Sequence, residues 1–578
     1  MTRLPLINLP VGWTPRPSAP ATSDGRGVHP TGHSFSGCCL TREPVAEPLP
    51  VSTDERGSSE GIASRRTVLL GLGVLFLARV LFIALSPLEL VPDEAYYWDW
   101  SRQLDWGYYS KPPLIAWLIA LSTSLGGNSE LAIRFPAACL GTLGLWAIYE
   151  LASKLYDAST GLRAVVIAAA TPGLTVMSLL MTIDAPFLCA WSCAVCSVWR
   201  LLETERPRWW WLVAAIISTG LGLLAKQTML GLFPLVFVFL LASPSDRKQL
   251  QSPAVWMWVL GSLVFLAPVV WWNSQHDWIT IQHTREHFVG KPISVIGHVA
   301  LSIEFWTTQF GILSPVICWM MIGVVGSLLL KLPKLARREL YLVCLGGLPM
   351  VAVTGLSFIQ LVQPNWPAAF HLTGVILVAA WAGKLLPPLT LVDRIRGRFP
   401  LAVIVGACFS VIVVLTPVVM GLTPLAGTRL DPTVRLRGWR TLGVEVDRKL
   451  RDFPSPNQTL IVATTDRSPV SELAFYLAQR PRVYLWNSHP QPLSQHDVWG
   501  GPRDATGRDA LILTPDRLDV PTRFAAAFES IEDRGMISIP LGPERTRTFR
   551  VWRGVSLRAW PARTTNHKSA PAHEPDEN

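Results

Sequence analysis

Asp93 and Glu94 stand side by side in a segment otherwise rich in aromatic residues, Val91-Pro-Asp-Glu-Ala-Tyr-Tyr-Trp-Asp-Trp100. Neighbouring carboxylates can take a proton from a hydroxyl or an amine, or hold a cation. General-base work needs one ionised carboxylate within hydrogen-bond reach of the nucleophile. The same pair could equally be a solvated helix start inside a belt of Tyr and Trp at a membrane boundary. Further along lies Leu104-Asp-Trp-Gly-Tyr-Tyr-Ser-Lys-Pro-Pro-Leu114, in which Pro112 and Pro113 fix the backbone and open a helix. A lysine at that point, Lys111, either holds a phosphate as a point charge or lays its stem along lipid. Acid pair, aromatic rings and Lys-Pro-Pro share one loop, which favours chemistry.

The elements that must position these groups are membrane spans. Of the 578 residues, 50% are hydrophobic and 16% charged, and the mean hydropathy is +0.33. Globular chains carry about 25% charged residues, so the composition excludes an ordinary cytosolic enzyme and a disordered scaffold. The net charge of +10 reflects basic residues clustered between apolar runs, and nine cysteines imply no disulfide framework. About eleven spans are expected, near 67–90, 132–153, 161–181, 185–201, 209–225, 228–242, 254–272, 309–330, 340–359, 367–386 and 400–421. If the first span leaves the cytoplasm, alternate loops hold the Lys/Arg excess, among them Arg200, Arg206 and Arg208, then Lys331, Lys334, Arg337 and Arg338. Two long outer loops follow, 91–131 and 273–308. Residues 1–64, rich in Pro, Ser, Gly and Thr, read as a disordered cytoplasmic tail, ahead of a transmembrane domain over 65–428. Residues 429–560 read as a small extracytoplasmic α/β domain, with strands near 459–465, 482–486 and 510–513 and helices near 471–478 and 522–533. Residues 561–578 form a second disordered tail. The fold class is thus a multi-spanning α-helical membrane protein with a C-terminal α/β domain.

The ordered set Pro-Asp-Glu-Ala-Tyr-Tyr-Trp, Gly-Tyr-Tyr-Ser-Lys-Pro-Pro-Leu and Arg134-Phe-Pro-Ala resembles the bacterial polyprenyl-phosphate-dependent glycosyltransferases of the C-type superfamily. These are relatives of the protein O-mannosyltransferases and the lipid A aminoarabinose transferase. Thr182-Ile-Asp-Ala-Pro186, Ala225-Lys-Gln-Thr-Met229, Trp272-Asn-Ser-Gln-His-Asp-Trp278, Gln363-Pro-Asn-Trp-Pro367, Arg437-Gly-Trp439 and Glu472-Leu-Ala-Phe-Tyr476 continue the match. The resemblance covers about 65–560. It implies an inverting, metal-independent transfer of a sugar from a polyprenyl-phosphate donor to a glycolipid, glycan or protein acceptor, on the outer face of the cytoplasmic membrane. It further implies that Asp93 is the general base, with Glu94 as its neighbour orienting or binding substrate. Lys111, Lys226 and Arg134 would hold the donor phosphate, although Arg134 also fits a buried structural role. Tyr96, Tyr97, Asp184, Asn365 and Trp366 would bind substrate. No cofactor, metal or nucleic acid is expected. Ser110 stands where the aminoarabinose enzyme has a zinc-binding glutamate, and Gln363 replaces an acid common before Pro-Asn-Trp.

Other signals are weaker. His283 and His287 have i,i+4 spacing near His276, but no carboxylate or third ligand is specified. Arg79 lies within the first span and suits a helix partner better than the reaction centre. No Gly-rich phosphate loop supports ATP hydrolysis. The rival reading is a secondary transporter or flippase of a lipid-linked sugar. It lacks an internal repeat, and most of the polar groups lie at span ends rather than at the midplane.

Overall fold

A computed structural model describes residues 55–203, 208–286, 288, 294–464 and 466–561. The expected tails lie outside these residues, apart from 55–64 and Pro561. The first helix begins already at Glu55 and runs to Leu85, so its first turns, before Arg65, fall within the expected tail. From Arg56 onward the chain is one compact unit.

Among the described residues, six helices are long and apolar enough to cross a membrane, or seven if one bent pair counts as a single span. Several of the eleven expected spans fold as shorter apolar helices. Ala158–Ala169, Trp209–Ala225, Gln227–Ala242 and Ala368–Ala382 are the cases. The bent pair joins Val295–Leu313 to Pro315–Leu329 at 110° across Ser314, whose φ is 68°. Much of the long loop expected over 273–308 is therefore helical. Arg79 donates to Thr142 Oγ1 at 3.3 Å, a helix-to-helix contact inside the bundle.

Three local features position the site. Pro92, at the start of helix Pro92–Ser101, follows the extended Val91, whose N–H donates to Glu94 Oε2 at 3.1 Å. The first-turn acids also face the positive end of the helix dipole. Helix Asp184–Leu202 is buried almost all round and packs on Glu130–Leu155 and Trp209–Ala225, which anchors Asp184 at its first turn. Helix Trp209–Ala225 breaks at Lys226, which is extended at φ −155°, before the chain resumes as Gln227–Gly231 and Leu232–Ala242.

The motif Trp272–Trp278 braces the first loop. Trp272 Nε1 donates to Asp105 Oδ2 at 2.7 Å, and Thr280 Oγ1 donates to the Tyr108 carbonyl at 2.9 Å. A Cβ at Gly107 would stand 2.9 Å from the Trp272 ring, so this close approach requires glycine.

The C-terminal region carries a mixed sheet of β1 (Leu460–Ala463), β2 (Val483–Leu485), β3 (Ala510–Pro515), β4 (Phe528–Pro540) and β5 (Thr546–Leu557), in the order β2-β1-β3-β5-β4. β1 is parallel to both β2 and β3, while β5 is antiparallel to β3 and β4. The expected strands and the helix near 471–478 are present, the latter as Arg467–Tyr476. The helix expected over 522–533 stops at Ala525. Phe528, Ile537 and Ile539 turn inward along β4, and the acidic stretch between them pairs with β5 instead, with a register shift between Asp533 and Met536. Long-range pairing overrides the local helical preference there.

Candidate active site

A cavity of about 640 Å³ opens where the first loop, three helix ends and the C-terminal sheet domain converge. Asp93, Tyr96, Tyr97, Lys111, Asp184, Lys226, Asn365 and Trp366 all line it, as do Ser110 and Gln363. Eight of the ten sequence-predicted residues thus meet around one space.

Glu94 and Arg134 do not line it. Helical geometry turns consecutive side chains by about 100°, so while Asp93 faces the cavity Glu94 points into the core. There Arg134 Nη2 and Nε donate to Glu94 at 2.7 and 3.0 Å, and the backbone N–H of Met181 donates to it at 2.9 Å. Arg134 spends its remaining donors on the carbonyls of Leu88 and Glu89, at 3.0 and 2.7 Å. Every strong group of this pair is occupied by protein. The geometry thus departs from two expectations: neither Glu94 nor Arg134 lines the cavity, and each is turned onto protein partners in the core.

On the far side of the cavity, Lys226 Nζ donates to Asp184 Oδ1 at 2.8 Å and Asn365 Nδ2 donates to Asp184 Oδ2 at 2.6 Å. One carboxylate thus fixes a helix break and the turn before Ala368–Ala382. Lys111 approaches from the first loop. Burial, with Lys226 nearby, pulls its ammonium down to about 8, against the opposing influence of Asp184 and Asp93. Among the described residues, no hydrogen bond or ion pair engages its Nζ.

Sequence reasoning missed Arg467. Its helix starts at the Asp466 cap, whose side chain accepts the Ser468 N–H at 2.6 Å. Arg467 Nη2 donates to Asp93 Oδ1 at 2.7 Å, and the guanidinium lies 4.5 Å from the centre of the Tyr96 ring. Gln495 was also missed. Its N–H donates to the Tyr96 hydroxyl at 2.6 Å, and its side-chain oxygen accepts the Tyr109 N–H at 2.6 Å. Both partners lie hundreds of residues away in sequence, and no local pattern announces them.

His283 reaches the cavity and rests 4.8 Å from the Tyr109 ring, whereas His287 lies outside the described residues. Among the described residues, no three His, Cys, Asp or Glu side chains gather as a metal site.

Comparison with known proteins now bears on this geometry. The structure of ArnT from Cupriavidus metallidurans in the apo state aligns with a TM-score of 0.55 at 16% identity, covering 84% of this chain and 98% of that one. The structure of ArnT from the same organism bound to undecaprenyl phosphate gives 0.53 at 18% identity, with the same coverage. In sequence, the lipid A galacturonosyltransferase RgtD of Rhizobium johnstonii is 27% identical over 451 residues, 75% of this chain and 88% of the relative. The protein is an integral membrane glycosyltransferase with the C-type fold. Within that class, residues 110–272 match the family model described as dolichyl-phosphate-mannose-protein mannosyltransferase, a stretch that holds Lys111, Asp184 and Lys226. None of these relatives is a transporter.

Proposed function

We propose that the protein transfers a sugar from a polyprenyl-phosphate donor to an acceptor hydroxyl, with inversion, at the outer face of the cytoplasmic membrane. The observation that carries this reading is the cavity itself, in which the Asp93 carboxylate and the Lys111 ammonium, unpaired among the described residues, share one space. A prenyl carrier is too apolar to leave the bilayer, so its headgroup must be met by residues at the ends of spans.

In this scheme Asp93 removes the acceptor proton as the hydroxyl oxygen attacks the anomeric carbon. The bond between that carbon and the phosphate oxygen breaks, and the electron pair leaves with the polyprenyl phosphate. Lys111 offsets the charge that develops on the phosphate, the preorganised electrostatic role that usually dominates such steps. Lys226 adds a second positive group, held in place by Asp184. Tyr96, Tyr97, Asn365 and Trp366 supply rings and an amide against the sugar or the acceptor. The leaving group is already a phosphate, so no strong general acid is required, and the scheme calls on no metal. Glu94 and Arg134 serve by holding helix Pro92–Ser101 in place.

The likeness to RgtD makes a galacturonosyl donor and a lipid A acceptor the first substrates to test. In proteoliposomes supplied with undecaprenyl-phosphate galacturonic acid and lipid A, Asp93→Asn should lower transfer by about 100-fold or more while donor binding persists. Undiminished transfer by this variant would refute the base assignment.

A further inference from the structure

We propose that Arg467 is a positioning residue for the transfer, supplied to the reaction centre by the C-terminal sheet domain. This inference rests on Asp93 acting as the base. Arg467 Nη2 holds Oδ1 of Asp93 at 2.7 Å, and among the described residues Oδ2 has no protein partner. One oxygen is thus tied and the other left for the acceptor proton. An untethered carboxylate would present either oxygen over a range of torsions, and small misplacements of a reacting group cost rate steeply.

The pair contributes little to holding the fold together. The Arg467 and Asp93 side chains are 40% and 46% exposed, the regime in which an ion pair adds little stability. Other contacts secure the helix that carries Arg467. Ser471 Oγ donates to the Arg467 carbonyl at 2.9 Å and lies 3.0 Å from His496 Nε2. His496 Nδ1 in turn lies 3.6 Å from Asp99 Oδ2, on the same helix as Asp93. Gln495 clamps Tyr96 and Tyr109 from the same domain. A change at Arg467 therefore leaves this docking in place and removes the hold on Asp93 together with the contact on the Tyr96 ring. Loss of Arg467 should register in turnover, with folding and donor capture intact.

The test uses the full chain in proteoliposomes with undecaprenyl-phosphate galacturonic acid and lipid A. Arg467→Gln should lower kcat by about 10- to 100-fold, leaving donor KM within about twofold and the thermal midpoint unmoved. Arg467→Lys, which keeps a donor but loses the fork, should recover part of the rate. In an Asp93→Asn background, Arg467→Gln should cost nothing further, because the group it positions is gone. An unchanged kcat in Arg467→Gln, or an equal loss in both backgrounds, overturns the positioning role and leaves the base assignment standing. Full activity in Asp93→Asn alone would instead remove the base reading and this inference with it.

Discussion

The Glu94 carboxylate and the Arg134 guanidinium form a fully buried two-point pair, with 0% and 3% of their side chains exposed. It ties helix Pro92–Ser101 to helix Glu130–Leu155, directly behind Asp93. Removing one partner of such a pair leaves an uncompensated buried charge, at a cost of about 3–5 kcal/mol. Glu94→Ala and Arg134→Ala should each lower the thermal unfolding midpoint in detergent sharply. Loss of activity with an unchanged midpoint would return Glu94 to the list of substrate-facing groups.

Asp184 and Lys226 form a second buried pair, with one difference in outcome. Asp184→Ala strands the Lys226 ammonium and frees Asn365, again at about 3–5 kcal/mol. Combining Asp184→Ala with Lys226→Met should restore most of the stability, since an apolar pair replaces an ionic one. Transfer should stay low in the double variant. Unfolding midpoints and initial rates on the same preparations check both statements.

Lys111 carries a pH dependence of donor capture. With the ammonium drawn down to about 8, mainly by burial and then by Lys226, it is charged at pH 7 and progressively neutral above pH 8. Affinity for the polyprenyl-phosphate donor should fall as pH rises through that value. Arg in place of Lys111 remains charged, so Lys111→Arg should flatten the fall, and Lys111→Ala should bind weakly at every pH. Equilibrium donor binding between pH 7 and 10 checks this.

His496 should make the domain contact acid-sensitive. Burial, then Arg467 and Arg482, lowers its imidazolium from 6.5 to about 3. The unfolded chain therefore binds a proton that the fold refuses, and stability is lost as pH falls from about 6.5 toward 3. Asp99 works in the opposite sense, raised by burial from 3.8 to about 6, so that the fold gains from its protonation over that window. On acidification from pH 7 to 4, the parent should lose more of its thermal midpoint than His496→Gln does, the difference being the His496 share.

The membrane class, the acid pair, Lys-Pro-Pro and the Asp184 and Lys226 motifs were all legible in the sequence. Hydropathy registers over a span, and each motif is a short run whose residues remain neighbours in the fold. The division of labour within Asp93-Glu94 was not legible, because a turn of about 100° between adjacent helical residues sends one to the cavity and the other to the core. Where the apolar helices break was not legible either: apolar composition measures how greasy a segment is, whereas Ser314 and Lys226 decide where a helix stops. The β4–β5 hairpin escaped for a related reason, since a strand edge earns its hydrogen bonds from a distant partner. Arg467 and Gln495 are the clearest cases. A charge meeting a carboxylate 374 positions away leaves no trace in local pattern, and only the packing of the sheet domain on the first loop brings the two together.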